Sequence, residues 1–181
     1  MKILVVPRHF IEKELKNNHN WISGKWIISI FSHEDFSPLP DRYSILKLEF
    51  DDVTEKDIGG WSNLPDKCIF FNQNHALKIH NFIKDIENCV NHANEMYVHC
   101  DAGVSRSGAV GYMLNEWFNK FIKKNREDNE FFIQNNHHIM PNPLVVRILK
   151  QEFFGNDYSG VFVNDYEYNA DRKRIDHISL I

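Results

Sequence analysis

One ten-residue stretch, His99-Cys100-Asp101-Ala102-Gly103-Val104-Ser105-Arg106-Ser107-Gly108, carries the residue types of a nucleophile and an anion site. Met96-Tyr97-Val98 before it reads as a short buried strand. After it, Val110, Met113, Leu114, Trp117, Phe118 and Phe121 recur at helical spacing, which predicts a helix from Ser105-Arg106-Ser107 to about Lys123 with those residues inward. Gly103 and Gly108 ease the sharp turn from strand to helix. Backbone N–H groups from about Asp101 to Arg106, through Ala102, Gly103, Val104 and Ser105, then converge on one point, where the helix adds its positive end. Such a nest takes a tetrahedral oxyanion, and Arg106 adds a planar two-pronged clamp. Cys100 lies at the floor. A helix N-terminus and cationic neighbours favour thiolate over thiol. The chemistry this implies is attack of sulfur on phosphorus and a phosphocysteine intermediate. Ser107 is placed to donate to the departing thiolate, and His99 to orient the loop through hydrogen bonds.

The elements that must position this loop are legible as alternating strands and helices. Lys2 to Val6, Trp26 to Phe31 and Ser44 to Phe50 read as strands, and Phe10 to Asn18 as a helix. Asn72 to Val90 has Leu77, Ile79, Phe82, Ile83, Ile86 and Val90 at helical spacing. Glu127 to Asn136 reads as another helix. A last one starts at Pro143 behind Asn142 as N-cap, with Gly155 as its stop. Asp51 to Asp66, with Gly59-Gly60 and Pro65, reads as an exposed loop. The alternation predicts an α/β single domain over residues 1–155: a central, mainly parallel, twisted sheet of about four or five strands flanked by helices. Residues 156–181 are weakly periodic and read as a C-terminal appendage or partly disordered tail.

Composition limits the alternatives. The 181 residues are 43% hydrophobic and 13% aromatic, which excludes a mostly disordered chain. A net charge of −4 marks no nucleic-acid partner. No apolar run approaches the ~20 residues of a membrane span, and the apolar run within Met1 to Arg8 is too short for a signal peptide. Three cysteines, Cys68, Cys89 and Cys100, are an odd number without a C-x-x-C, so neither a disulfide framework nor a zinc site is indicated. A cytoplasmic, reducing location is expected. Cys68 and Cys89 read as structural. Of the ten histidines, His75, His80 and His92 on a helix and His137-His138 in a loop read as solvated rather than as metal ligands.

The loop fits the pattern H-C-x-x-G-x-x-R-[S/T] and resembles the active site of the cysteine-based protein tyrosine phosphatases; its A-G-V-S-R-S form resembles the dual-specificity branch. A softer resemblance to a compact microbial or phage group of predicted phosphatases runs from Met1 to Phe154, through Ile3-Leu4-Val5, Ser37-Pro38-Leu39-Pro40, Leu48-Glu49-Phe50-Asp51-Asp52-Val53 and Pro141-Asn142-Pro143. The resemblance implies hydrolysis of phosphomonoesters with no metal or organic cofactor. It also implies an upstream aspartate as general acid. Asp52, just after the third strand, is the first candidate, although it lies 48 residues before the cysteine, a longer separation than the family's. Asp66, in Leu64-Pro65-Asp66, lies 34 residues before it, and Asp51 is the remaining alternative. None of the variable loop residues Asp101, Ala102, Val104 and Ser105 is basic, which argues against polyanionic substrates and for a phosphorylated protein or peptide. Two other readings stay open: a phospho-binding module of the same fold that has lost catalysis, and an arsenate reductase-like enzyme. The residues leave the oligomeric state unassigned.

Overall fold

Trp26–Phe31 (β2) has every residue but the last buried, and it sits in the interior of a sheet covered on both faces. The computed structural model describes residues 1–54, 67–89 and 94–155. In it β2 is joined by β1 (Lys2–Pro7), β3 (Ile45–Glu49) and β4 (Glu95–Cys100). The strand order is β1-β4-β2-β3, and every pairing is parallel. The helices are α1 (Arg8–Asn17), α2 (Gln73–Asn88), α3 (Arg106–Leu114), α4 (Arg126–Asn135) and α5 (Pro143–Phe154). The α/β layered architecture expected from the sequence is the one observed. The expectations for Asp66, His92 and the 156–181 tail lie outside the described residues.

Alternation along the strands sorts side chains between two cores. Ile3, Val5, Ile28, Ile30, Leu48, Met96, Val98 and Cys100 face one cluster with the buried sides of α2, α3 and α5. Ile27, Ile45 and Tyr97 face the other, against Ile11 of α1. The period of two therefore turns Cys100 toward α3 and its neighbour His99 toward the opposite side. A parallel sheet also collects its strand ends. Pro7 pairs with Cys100, and Phe31 with Glu49, so the loops that follow all four strands emerge at one edge.

Three local expectations are corrected. Phe121 is 50% exposed, not inward. The chain after Leu114 is a π-helix, Asn115–Ile122, whose wider turn rotates later residues away from the α-helical stripe that Trp117 and Phe118 still follow. His75 and His80 are not solvated. His75 lies 5.5 Å from the rings of both Phe50 and Phe71, and its Nδ1 accepts the Asn72 N–H in the N-cap of α2. His80 Nδ1 lies 2.6 Å from Glu152 Oε1, with its ring edge-on to Trp117 and Phe153, pinning α2 to α5. Both rings face α5 or the sheet end, contacts that a helix read in isolation does not reveal. Among the described residues no group of metal-ligating side chains converges, and no helix is long and apolar enough to cross a membrane.

Helix α3 approaches β1 so closely at Gly111 that a Cβ there would lie 2.5 Å from Val5 Cγ2. Gly111→Ala should therefore destabilise the protein. The overpacking cost of about 1–3 kcal/mol outweighs the helix-propensity gain of about 1 kcal/mol. Urea unfolding checks this, and an unchanged or higher midpoint would contradict it.

Candidate active site

The loop between β4 and α3 is held from outside by its carbonyls. Asp101 O accepts from Arg8 N at 3.1 Å, Val104 O from Met140 N at 3.1 Å, and Ser105 O from Asn142 N at 3.2 Å. In a trans peptide the N–H points opposite to the C=O. The N–H groups of Ala102, Ser105 and Arg106 are thereby turned to the other, concave side. Gly103 makes the turn possible. Its φ is +70°, and a Cβ would meet Pro7 N and Val6 C at 2.5 Å. No side chain fits between the loop and the end of β1. Asp101 and Ala102 are exposed, so this edge faces solvent, while Cys100 beneath is 2% exposed.

Cys100 Sγ lies 3.0 Å from Ser107 Oγ. Arg106 is 5% exposed and spans three elements. Its Nη1 donates to Ser32 Oγ at 2.8 Å, just past β2, and to Phe50 O at 3.0 Å, just past β3. Its Nη2 donates to Asp101 Oδ2 at 2.5 Å. The buried Nε–H makes no hydrogen bond among the described residues. Nε and Nη2 share one edge of the guanidinium, the edge that grips two oxygens of an anion. Sequence reasoning missed Ser32 and Phe50. Phe50 acts through its backbone carbonyl, which residue type does not encode, and Ser32 carried no signal beyond its place after a strand.

The aspartates separate clearly. Asp52 Oδ1 accepts from Ser105 Oγ at 2.7 Å and from Asn142 Nδ2 at 2.8 Å, so this carboxylate is fastened to the loop itself. Asn142, expected only as the cap of α5, is thus a third missed residue of the site. Asp51 engages other partners. Its Oδ1 accepts His33 N at 3.1 Å and its Oδ2 accepts Ile69 N at 2.8 Å, a brace between two segments. Burial and this carboxylate push the nearby Cys68 thiol up.

His99 departs from its expected role. It is 1% exposed, and neither ring nitrogen has a hydrogen-bond partner among the described residues, so it does not orient the loop by side-chain hydrogen bonds. Burial first, and the positive charge of Arg8 second, pull its pKa down to about 4; Asp101 and the Cys100 backbone oppose this without reversing it. The ring is neutral at neutral pH. Its folded pKa lies below the ordinary 6.5, so its contribution to stability is complete above pH 6.5 and is lost as pH falls toward 4. That loss should reach about 3 kcal/mol. His99→Gln should flatten the change in melting temperature across that window, and an undiminished slope would assign it to other groups. Gly103→Ala should destabilise the chain and abolish anion binding, both readable by thermal melting with and without tungstate.

No protein-family model and no curated protein matches this chain. Solved structures do. The PTP-2 phosphatase of Cydia pomonella is 16% identical, over 83% of this chain and 84% of that one, with a TM-score of 0.50. The human tyrosine phosphatase-like serine/threonine/tyrosine-interacting protein is 18% identical, over 83% and 89%, at 0.47. PTPMT1 in complex with PI(5)P is 14% identical, over 95% and 94%, at 0.45. The chain thus has the α/β fold of the protein tyrosine phosphatases, as the sequence resemblance implied.

Proposed function

We propose that this chain is a phosphomonoester hydrolase acting on phosphorylated protein or peptide side chains, phosphotyrosine first, through a phosphocysteine intermediate. The observation that supports this reading best is the placement of Cys100 Sγ, 3.0 Å from Ser107 Oγ, at the floor of a loop whose amides face inward beside the Nε edge of Arg106. In the first step the Cys100 thiolate attacks phosphorus, an S–P bond forms, and the P–O bond to the leaving group breaks. Asp52 gives its proton to the leaving oxygen. Its Oδ1 is already engaged by Ser105 and Asn142, which leaves Oδ2 to carry that proton. In the second step the Asp52 carboxylate takes a proton from water as the water oxygen attacks phosphorus. The S–P bond breaks, Ser107 O–H stabilises the departing thiolate, and inorganic phosphate leaves. Loop amides and Arg106 bind the equatorial oxygens, where charge develops. A reducing, cytoplasmic location fits the need to keep Cys100 as a thiol.

Hydrolysis of an aryl phosphate tests this. Cys100→Ser should lower kcat by about 10⁵-fold or more while retaining oxyanion binding. A Cys100→Ser protein with wild-type rates would overturn the mechanism. Asp52→Asn keeps the Oδ1 acceptor and should lower kcat about 10²- to 10⁴-fold on a poor leaving group, and far less on a good one. A loss independent of leaving group would move the acid elsewhere, with Asp66 next to test. Binding of oxyanion by wild-type protein without turnover would instead support a phospho-binding module.

A further inference from the structure

Asp101 is the feature of this site that oxyanion chemistry alone does not call for. Its carboxylate stands at the lip of an anion cradle, 45% exposed, and accepts from Arg106 Nη2 at 2.5 Å. It therefore takes one of the two prongs that an oxyanion would use. Its other oxygen, Oδ1, lies 3.8 Å from Arg8 Nη1, too far for a hydrogen bond but within reach of a small side-chain rotation. Arg8 in turn is fixed by neighbours on the rim. It donates to Asp35, to Glu12 Oε1 at 3.0 Å and to Phe36 O at 2.9 Å, and its guanidinium lies 5.3 Å from the centre of the Phe36 ring. Its backbone N–H holds Asp101 O, so Asp101 is tied to Arg8 whichever guanidinium its side chain meets.

We propose that Asp101 is the resident counter-ion of the oxyanion site, and that anion entry hands its carboxylate from Arg106 to Arg8; this rests on the phosphatase reading of the cradle. A buried guanidinium needs a compensating charge. Ser32 Oγ and Phe50 O supply hydrogen bonds but no charge, and Asp101 supplies it. When a dianion arrives it replaces that compensation, and a carboxylate left in place would face like charge. Arg8 lies on the one side where Asp101 already has a cation. Asp101 is thus a positioning residue that keeps Arg106 in place between turnovers and sets a threshold for anions. A weak monoanion gains too little from one prong to displace it, whereas a phosphomonoester dianion gains enough.

Isothermal titration of tungstate, a phosphate-like dianion, into wild type, Asp101→Asn, Arg8→Gln and the double variant tests this. Asp101→Asn should bind about tenfold more tightly, because a like charge beside the ligand is gone. Arg8→Gln should bind about tenfold more weakly, because the carboxylate has nowhere to go. In the Asp101→Asn background the Arg8→Gln loss should shrink to about threefold or less, as coupled sites require. Equal losses in both backgrounds, or weaker binding by Asp101→Asn, would overturn the handover while leaving the cradle intact. Failure of wild type to bind tungstate would overturn the phosphatase reading and the handover together. Should Asp101→Asn not fold, Asp101→Ser carries the same comparison.

Discussion

A guanidinium that is 5% exposed organises this molecule. Burying a charge costs several kcal/mol unless it is paired and fully hydrogen-bonded. Arg106 meets most of that demand through its two Nη groups, reaching across the sheet to the ends of β2 and β3 through Ser32 Oγ and Phe50 O and back to its own loop through Asp101, while its Nε–H makes no hydrogen bond among the described residues. The two contacts outside the loop follow from β4 lying beside β2, which in turn pairs with β3. The residue that leaves β4 and starts α3 then sits beside the strand ends it must bind. A different strand order would leave the same guanidinium without the Ser32 and Phe50 acceptors.

The second constraint is steric. Gly103 lets the loop close on Val6 and Pro7, and Gly111 lets α3 close on Val5. Both approaches are to β1, one at its end and one at its middle, so β1 acts as the surface against which loop and helix are pressed. The close fit fixes where the helix starts. With it is fixed the point toward which the N–H groups of Ser105 and Arg106 are directed. Position at a tenth of a nanometre decides whether amides and guanidinium act on the same oxygens, and short contacts to a rigid strand supply it.

What the sequence reveals depends on whether residue type carries the demand. The loop is legible because Cys, Gly, Arg and Ser each answer a separate chemical need at a fixed spacing. Asp51 and Asp52 are adjacent in the chain, and the two carboxylates engage different partners. Ser32 and Phe50 are not legible, since their role follows from sheet order and, for Phe50, from a carbonyl that every residue owns. His99 misleads for a related reason. An imidazole suggests hydrogen bonds, but alternation turns it to the face opposite Cys100, where its ring nitrogens meet no partner among the described residues. Phe121 misleads because a helical stripe assumes a constant period, and the π-helix breaks it.

Asn142 joins the remaining pieces by using both ends of one amide. Its Oδ1 accepts the N–H groups of Leu144 and Val145 at the start of α5, while its Nδ2 donates to Asp52 Oδ1 and to Val53 O. The polarity of the side chain permits only one orientation, because a flipped amide would set donor against donor at the helix and acceptor against acceptor at Asp52. An aspartate at 142 could still cap the helix, as carboxylates do, but it would face Asp52 with like charge. The backbone N–H of Asn142 also holds Ser105 O, and Ser105 Oγ returns to the same Asp52 oxygen. Helix start, anion loop and proposed acid therefore form one closed ring of hydrogen bonds. The position of Asp52 against the Cys100 loop is set by that ring rather than by the length of chain that separates the two residues. This is why a 48-residue separation is compatible with a site whose local geometry is tight.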